Sequence, residues 1–167
     1  MTHRLVPALL LAAAVAGCGD DPPAPSAPGA PAHGHEHRAP HGGALQVLGD
    51  EAAHVELLLD AKEGRLTAYV LDAEAERPVR IAQDALRLTL RSLACGEASV
   101  ELKPVASVHT GETAGDTSQF AGASDALRGA TSFEGTLATI TARGVKFDAV
   151  PIRFPGGNEA AKTSGVR

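Results

Sequence analysis

The chain has 167 residues, of which 44% are hydrophobic and only 3% are aromatic, and its formal net charge at pH 7 is −5. An acidic chain without a cluster of basic residues is poorly suited to nucleic acid, so we expect no nucleic-acid partner. With one Tyr, four Phe and no Trp, it also has few of the aromatic side chains on which bases are stacked.

The first 17 residues predict a lipoprotein signal peptide. A short basic start ends at Arg4 and is followed by an apolar run from Leu5 to Gly17, which fits a secretory signal and is shorter than the roughly 20 residues of a membrane-spanning helix. The stretch Val15-Ala-Gly-Cys18 resembles the lipobox of bacterial lipoproteins. This resemblance implies cleavage before Cys18 and lipidation of its thiol. An ordinary signal with a chance cysteine is the alternative.

The residues after Cys18 predict a tether on the periplasmic side of a bacterial membrane. Gly19, rather than an acidic residue, follows the cysteine, which favours the outer membrane over the inner one. Residues 18–32 are rich in proline and alanine, and such a segment cannot bury a core and is expected to be a disordered, extended spacer. We expect the lipid anchor to hold the protein at the membrane.

Residues 33–43, His-Gly-His-Glu-His-Arg-Ala-Pro-His-Gly-Gly, contain four of the seven histidines of the chain. Neutral imidazoles bind Cu, Zn and Ni ions, and short His-rich tracts are typical of metal binding. We therefore predict an exchange-labile metal site with His33, His35, His37 and His41 as ligands. A spacer in which the histidines are incidental remains the alternative.

Residues 44–155 predict one all-β domain, a single antiparallel β-sandwich, immunoglobulin-like or similar, with seven or eight short strands. A small open barrel has the same strand spacing and is not distinguished from it. Apolar and polar residues alternate along most of the strands that we predict, which are Leu45–Leu48, His54–Leu59, Leu66–Leu71, Leu86–Arg91, Val100–Lys103, Thr136–Ala142 and Val145–Phe154.

The connections carry turn signals of different strength. Asp60–Gly64 and Arg143-Gly144 predict hairpin turns, and Ser124 predicts the cap of a short helical turn that ends near Arg128. Residues 107–123 are polar and contain glycine, which predicts a long loop. Residues 156–167 predict a flexible tail.

His54 and Glu56 lie one residue apart on a predicted strand and alternate with apolar residues, so both point away from the core. They form a metal site with His41 if the chain enters the domain beside this strand, and a solvent-facing pair is the alternative.

His109 is expected to lie in a loop without a ligand role. With Cys18 lipidated, Cys95 is unpaired and is best interpreted as a small buried side chain near a strand end. The alternatives for the Cys95 thiol are a soft metal ligand and an intermolecular disulfide.

The run Ala39-Pro-His-Gly-Gly-Ala-Leu45, with His54-Val-Glu-Leu57 and Leu66–Asp72, resembles bacterial periplasmic lipoproteins that begin with a His-Gly-Gly motif. Over residues 39–79 it is also similar to an N-terminal segment of periplasmic adaptor subunits of heavy-metal efflux pumps. The resemblance places His41, Gly42, Gly43, His54 and Glu56 on motif positions and implies metal association. The chain has no coiled-coil hairpin and no lipoyl-like halves, so a transport role is not implied.

Two functions follow as hypotheses. The first is a membrane-anchored periplasmic lipoprotein that binds Cu, Zn or Ni as a buffer, sensor or donor, with an efflux-system protein as a candidate partner. The second is a protein-interaction module of the cell envelope with the histidines as spacer. Catalysis is not expected, because the chain has no nucleophile elbow, phosphate-binding glycine loop, CxxC or HExxH motif.

Overall fold

The computed structural model describes residues 37–158, which form an antiparallel, all-β fold with eight strands. The sequence-based prediction of the fold class is confirmed. The predicted signal peptide, Cys18, the tether, His33, His35 and residues 159–167 lie outside the described residues. The strands are β1 Ala44–Leu48, β2 Ala53–Asp60, β3 Arg65–Leu71, β4 Leu86–Leu93, β5 Gly96–Pro104, β6 Gln119–Ala123, β7 Phe133–Ala142 and β8 Val145–Phe154.

All eight strands belong to one sheet in the order β1-β2-β3-β6-β5-β4-β7-β8. Strand β5 meets β6 at its C-terminal end, through Lys103 and Pro104, so the sheet divides there into two four-stranded halves. One continuous apolar core receives residues from both halves. The two halves therefore pack over a shared core, as the layers of a sandwich do.

The alternation of residue types explains the strands. On β4, Leu86, Leu88 and Leu90 are buried, whereas the residues between them are exposed, as expected for a sheet with one face on the core and one in water. Each such leucine contributes about 1.5–3 kcal/mol on burial. The largest fully buried side chains are Phe120, Phe133, Leu48, Leu57, Leu66, Leu71, Leu86, Leu90, Leu102, Leu127, Leu137 and Ile140.

Local turn chemistry is confirmed at two places. Arg143 and Gly144 have φ values of 52° and 79°, which is the conformation of a two-residue hairpin turn with positive φ at both positions. Ser124 caps a one-turn 3-10 helix, Asp125–Leu127, and its side chain accepts a hydrogen bond from the main-chain N–H of Ala126 at 3.3 Å.

The prediction of a loop over residues 107–123 is wrong at its C-terminal end, where β6 pairs with β3 and β5. This strand is short and has one large apolar side chain, Phe120, which is fully buried. Its Gly122 does not mark a loop. A Cβ atom at Gly122 would collide with the carbonyl oxygen of Glu101, so glycine permits the close approach of β5.

The outer strands β1 and β8 contact each other through side-chain amides. Gln46 Nε2 donates to the carbonyl of Arg153 at 2.8 Å, and Arg153 N donates to Gln46 Oε1 at 3.0 Å. Asn158 Oδ1 accepts from Val47 N at 2.7 Å, and Asn158 Nδ2 donates to the carbonyl of Val47 at 3.2 Å. Asn158 N also donates to the main-chain carbonyl of Leu45 at 3.3 Å. The fold therefore reaches Asn158, three residues beyond the predicted domain end.

Cys95 and His109, which the sequence places outside the His-rich segment, both lie at the surface. Cys95 is exposed in the turn between β4 and β5, so its interpretation as a buried side chain is wrong. The hairpin turn keeps its side chain out of the core, although the preceding Leu93 is buried. His109 is exposed in the loop after β5, as expected.

Candidate metal site

Residues 37–43, here called the entry segment, pack against the outer face of strands β1 to β3. Ala39 of this segment contacts a small second cluster formed by Leu45, Leu71 and Ala75, on the side of the sheet opposite the main core. Residues 37–43 of the predicted His-rich segment therefore belong to the folded part of the chain, which begins before the predicted start of the β-domain at residue 44. The reason is that the outer face of these strands is itself partly apolar and is covered by the segment.

Glu56 anchors the entry segment to β2. As predicted, His54 and Glu56 point away from the main core, yet both are fully buried because the segment covers them. Glu56 Oε1 accepts hydrogen bonds from His41 N at 2.9 Å and Gly43 N at 2.8 Å. Glu56 Oε2 lies 2.7 Å from His41 Nδ1. One buried carboxylate thus satisfies three N–H groups of the segment.

The His-Gly-Gly motif has a structural role at this anchor. Gly42 has a φ of 76°, a conformation that glycine adopts without steric cost. At Gly43, a Cβ atom would lie 2.5 Å from the carbonyl oxygen of Leu57. The two glycines let the segment turn and lie directly on β2, so that its N–H groups reach Glu56.

His41 stacks on Tyr69 of β3, with ring centroids 3.9 Å apart and an interplanar angle of 12°. Burial, and secondly the negative charge of Glu56, raise the pKa of Tyr69 above its ordinary value of 10.0. The His41 side chain remains 42% exposed. Its Nδ1 is held by Glu56.

His37 and His54 form a second pair beside this anchor, with ring centroids 4.6 Å apart and an interplanar angle of 54°. Nδ1 of His54 lies 2.9 Å from the carbonyl oxygen of Asp72, and Nδ1 of His37 lies 3.3 Å from that of Glu74. The Nε2 atoms of both rings are buried and have no hydrogen-bond partner within the described part of the chain. Both acceptors belong to the loop that follows β3.

The carbonyl acceptors determine which nitrogen of each ring carries the proton. A carbonyl oxygen only accepts, so Nδ1 is the donor in both rings and the neutral imidazole has its lone pair on Nε2. Metal-binding histidines have this arrangement, with one ring nitrogen donating to a carbonyl or carboxylate and the other facing the ion. A buried acceptor without a partner costs about 1–3 kcal/mol, which a bound ion would offset.

The loop that supplies these carbonyls is itself braced by Asp72. Its Oδ1 accepts hydrogen bonds from Glu76 N at 2.9 Å and Arg77 N at 3.1 Å. Desolvation pushes the pKa of Asp72 up, but these two hydrogen bonds and the charges of Arg77 and Arg143 outweigh it and hold the pKa below its ordinary value of 3.8. The carboxylate form therefore stabilises the loop.

The predicted ligands are thus divided between two pairs, His41 with Glu56 and His37 with His54. Within residues 37–158, no group of three or more His, Cys, Asp or Glu side chains already has the arrangement needed to hold a metal ion. Sequence reasoning missed the carbonyl groups of Asp72 and Glu74, because main-chain acceptors leave no signal in residue type. It also did not single out Glu51, whose Oε2 lies 3.8 Å from His37 Nε2.

Comparison of the chain with protein-family models, with curated proteins and with solved structures found no match. No helix within the described part of the chain is long and apolar enough to cross a membrane.

Proposed function

We propose that this protein is a lipid-anchored lipoprotein of the bacterial envelope that binds a transition-metal ion. The observation that carries the proposal is the His37–His54 pair, in which two adjacent imidazoles have buried Nε2 atoms without a hydrogen-bond partner among residues 37–158. Both imidazoles are oriented by main-chain carbonyls. This is the donor arrangement that Zn(II), Cu(II) and Ni(II) use in proteins.

The placement of the two histidines favours a site that takes up and releases its ion. His54 is near the start of β2 and is fully buried, whereas His37 is at the start of the entry segment, with its side chain 10% exposed. An ion can reach the pair when the first residues of the segment lift away from the sheet. Buffering, sensing or delivery of an ion needs such exchange, and His33 and His35 precede the pair in the sequence.

The lipid anchor is the second part of the proposal and depends on the lipobox-like sequence that ends at Cys18. The test is fractionation of cells that express the parent chain or Cys18→Ser. We expect the parent in the membrane fraction and the variant in the soluble periplasmic fraction. Retention of Cys18→Ser in the membrane would contradict the anchor.

The metal site is tested by calorimetric titration with Zn(II), Cu(II) and Ni(II) at neutral pH. We expect His37→Gln and His54→Gln each to lower the affinity by about tenfold or more, with less than additive losses in the double variant because the residues share one ion. His109→Gln is the matched control, since His109 is exposed and remote in sequence from the pair. His33→Ala with His35→Ala measures the contribution of the preceding histidines.

His54 is fully buried, so a folding defect in His54→Gln has to be separated from loss of a ligand. His37→Gln serves this purpose, because His37 is at the edge of the fold. Equal affinities of His37→Gln, His54→Gln and His109→Gln, or no saturable binding by the parent, would refute the proposal. The envelope interaction module would then be the better hypothesis.

A further inference from the structure

The turn between β1 and β2 carries a carboxylate to the histidine pair. Glu51 Oε2 lies 3.8 Å from His37 Nε2, the atom that has no hydrogen-bond partner among the described residues. Glu51 has a φ of 58°, a conformation that residues other than glycine adopt uncommonly. The turn is closed by a hydrogen bond of 3.1 Å from Ala52 N to the carbonyl of Leu48.

The separation of these two atoms is that of a long ion pair when His37 is protonated, and it also fits a metal ion shared by the neutral imidazole and the carboxylate. Zinc binds histidine nitrogen at about 2.0–2.1 Å and carboxylate oxygen at about 2.0–2.2 Å, so two such donors on one ion lie at most about 4.3 Å apart. The distance of 3.8 Å between Glu51 and His37 is inside this limit. It is too long for a hydrogen bond.

We infer that Glu51 is the third, anionic ligand of the site formed by His37 and His54, and that the site takes a borderline divalent ion such as Zn(II). This inference rests on the proposed function. The Glu51 side chain is 47% exposed, so it can rotate toward an ion without disturbing the core. Binding of the ion to the two imidazoles brings Glu51 in and completes the set of ligands.

The donor set determines the class of ion. Two imidazoles and one carboxylate are the protein ligands of open zinc sites, which keep a fourth position for water or an incoming ligand. Soft sulfur ligands are the ones that select Cu(I), and this site has none among the three. An open fourth position also suits a site that passes its ion on, because a second ligand can bind before the first three release it.

The test uses residues 18–167 with Cys18→Ser, to keep the chain in solution, and Cys95→Ser, because the exposed thiol of Cys95 would itself bind zinc. Zn(II) affinity is measured by competition with a chromogenic chelator, and Cu(I) affinity is measured under reducing conditions. Glu51→Gln preserves the shape of the side chain and removes its charge. Glu63→Gln is the matched control, since Glu63 is also an exposed glutamate in a hairpin turn.

We expect Glu51→Gln to weaken Zn(II) binding by about tenfold or more and to leave Cu(I) binding unchanged, while Glu63→Gln changes neither. Equal Zn(II) affinities of Glu51→Gln and Glu63→Gln, with a loss in His54→Gln, would overturn the role of Glu51 and leave the proposed function standing. Zn(II) binding that neither Glu51→Gln nor His54→Gln weakens would overturn both. Thermal unfolding of each variant confirms that the chains compared are folded.

Discussion

The carbonyl oxygen of Asp72 accepts a hydrogen bond from Nδ1 of His54 at 2.9 Å, while the side chain of the same residue accepts from the main-chain N–H groups of Glu76 and Arg77. Asp72 therefore links a buried histidine to the conformation of a loop. Two residues later, the carbonyl of Glu74 orients His37 in the same way. One loop sets the direction of both imidazoles.

We expect Asp72→Ala to weaken Zn(II) binding by about tenfold, although Asp72 is not a ligand, because loss of the brace lets both carbonyls move and outer-shell changes of this kind cost 10–100-fold in affinity. Asp60→Ala is the matched control. Asp60 Oδ1 accepts from Lys62 N at 3.0 Å and Glu63 N at 3.1 Å, so the same kind of brace is lost in a turn that holds no histidine. Calorimetric titration measures both, and equal affinities would show that the loop does not position the pair.

Glu56→Ala should lower the free energy of unfolding by about 2–3 kcal/mol, because it leaves the N–H groups of His41 and Gly43 without their acceptor and detaches the entry segment. Glu134→Ala is the control, since Glu134 is an exposed partner of Arg153 at 3.7 Å and such surface pairs contribute about 0–1 kcal/mol. Urea unfolding gives both values. A loss in Glu56→Ala no larger than in Glu134→Ala would mean that the anchor contributes little.

Asn158→Ala should cost about 1–3 kcal/mol of stability, because the side chain bonds to Val47 and also donates to the carbonyl of Pro151 at 2.9 Å. Asn158→Asp keeps the acceptor for Val47 N and loses the donor, so its free energy of unfolding should lie between those of the parent and Asn158→Ala. Hydrogen exchange at the Val47 amide is the sharper measurement. Unchanged protection of this amide in Asn158→Ala would show that the Asn158 side chain does not stabilise the contact between β1 and β8.

Glu112 should make the fold sensitive to acid. Burial pushes the pKa of Glu112 up, but hydrogen bonds from Ser118 and Thr110 and the charge of Arg80 outweigh it and hold the pKa below 4.5. A carboxyl whose pKa is depressed by folding stabilises the protein above its ordinary pKa and loses this contribution as pH falls through the lower, folded value.

We therefore expect the thermal midpoint of the parent to fall more steeply than that of Glu112→Gln as the pH is lowered below ~5. At neutral pH Glu112→Gln should be less stable than the parent, because its amide accepts fewer hydrogen bonds than the carboxylate, and lowering the pH should reduce this difference. Scanning calorimetry of both chains at neutral pH and at pH values below ~5 measures the difference in thermal midpoint. Parallel pH profiles of the two chains would show that Glu112 does not contribute to the acid sensitivity.

The sequence by itself determined the features that depend on neighbouring residues. Alternation along Leu86–Arg91 identifies a strand with one wet face, because side chains in a strand point to opposite sides in turn. Arg143-Gly144 and Ser124 identify a tight turn and a cap, because these conformations are limited by the local backbone. The same alternation placed His54 and Glu56 together on the outer face of β2.

Only the tertiary structure decided what lies against that face. Alternation specifies the side to which a residue points and does not specify its partner, so the covering of β2 by residues 37–43 could not be read from the pattern. His54 is oriented by a carbonyl 18 residues away, and Val47 is bonded to a side chain 111 residues away. Contacts of this kind follow from strand register and loop path. Main-chain carbonyls are present in every residue, and only the fold selects the two that orient the histidine pair.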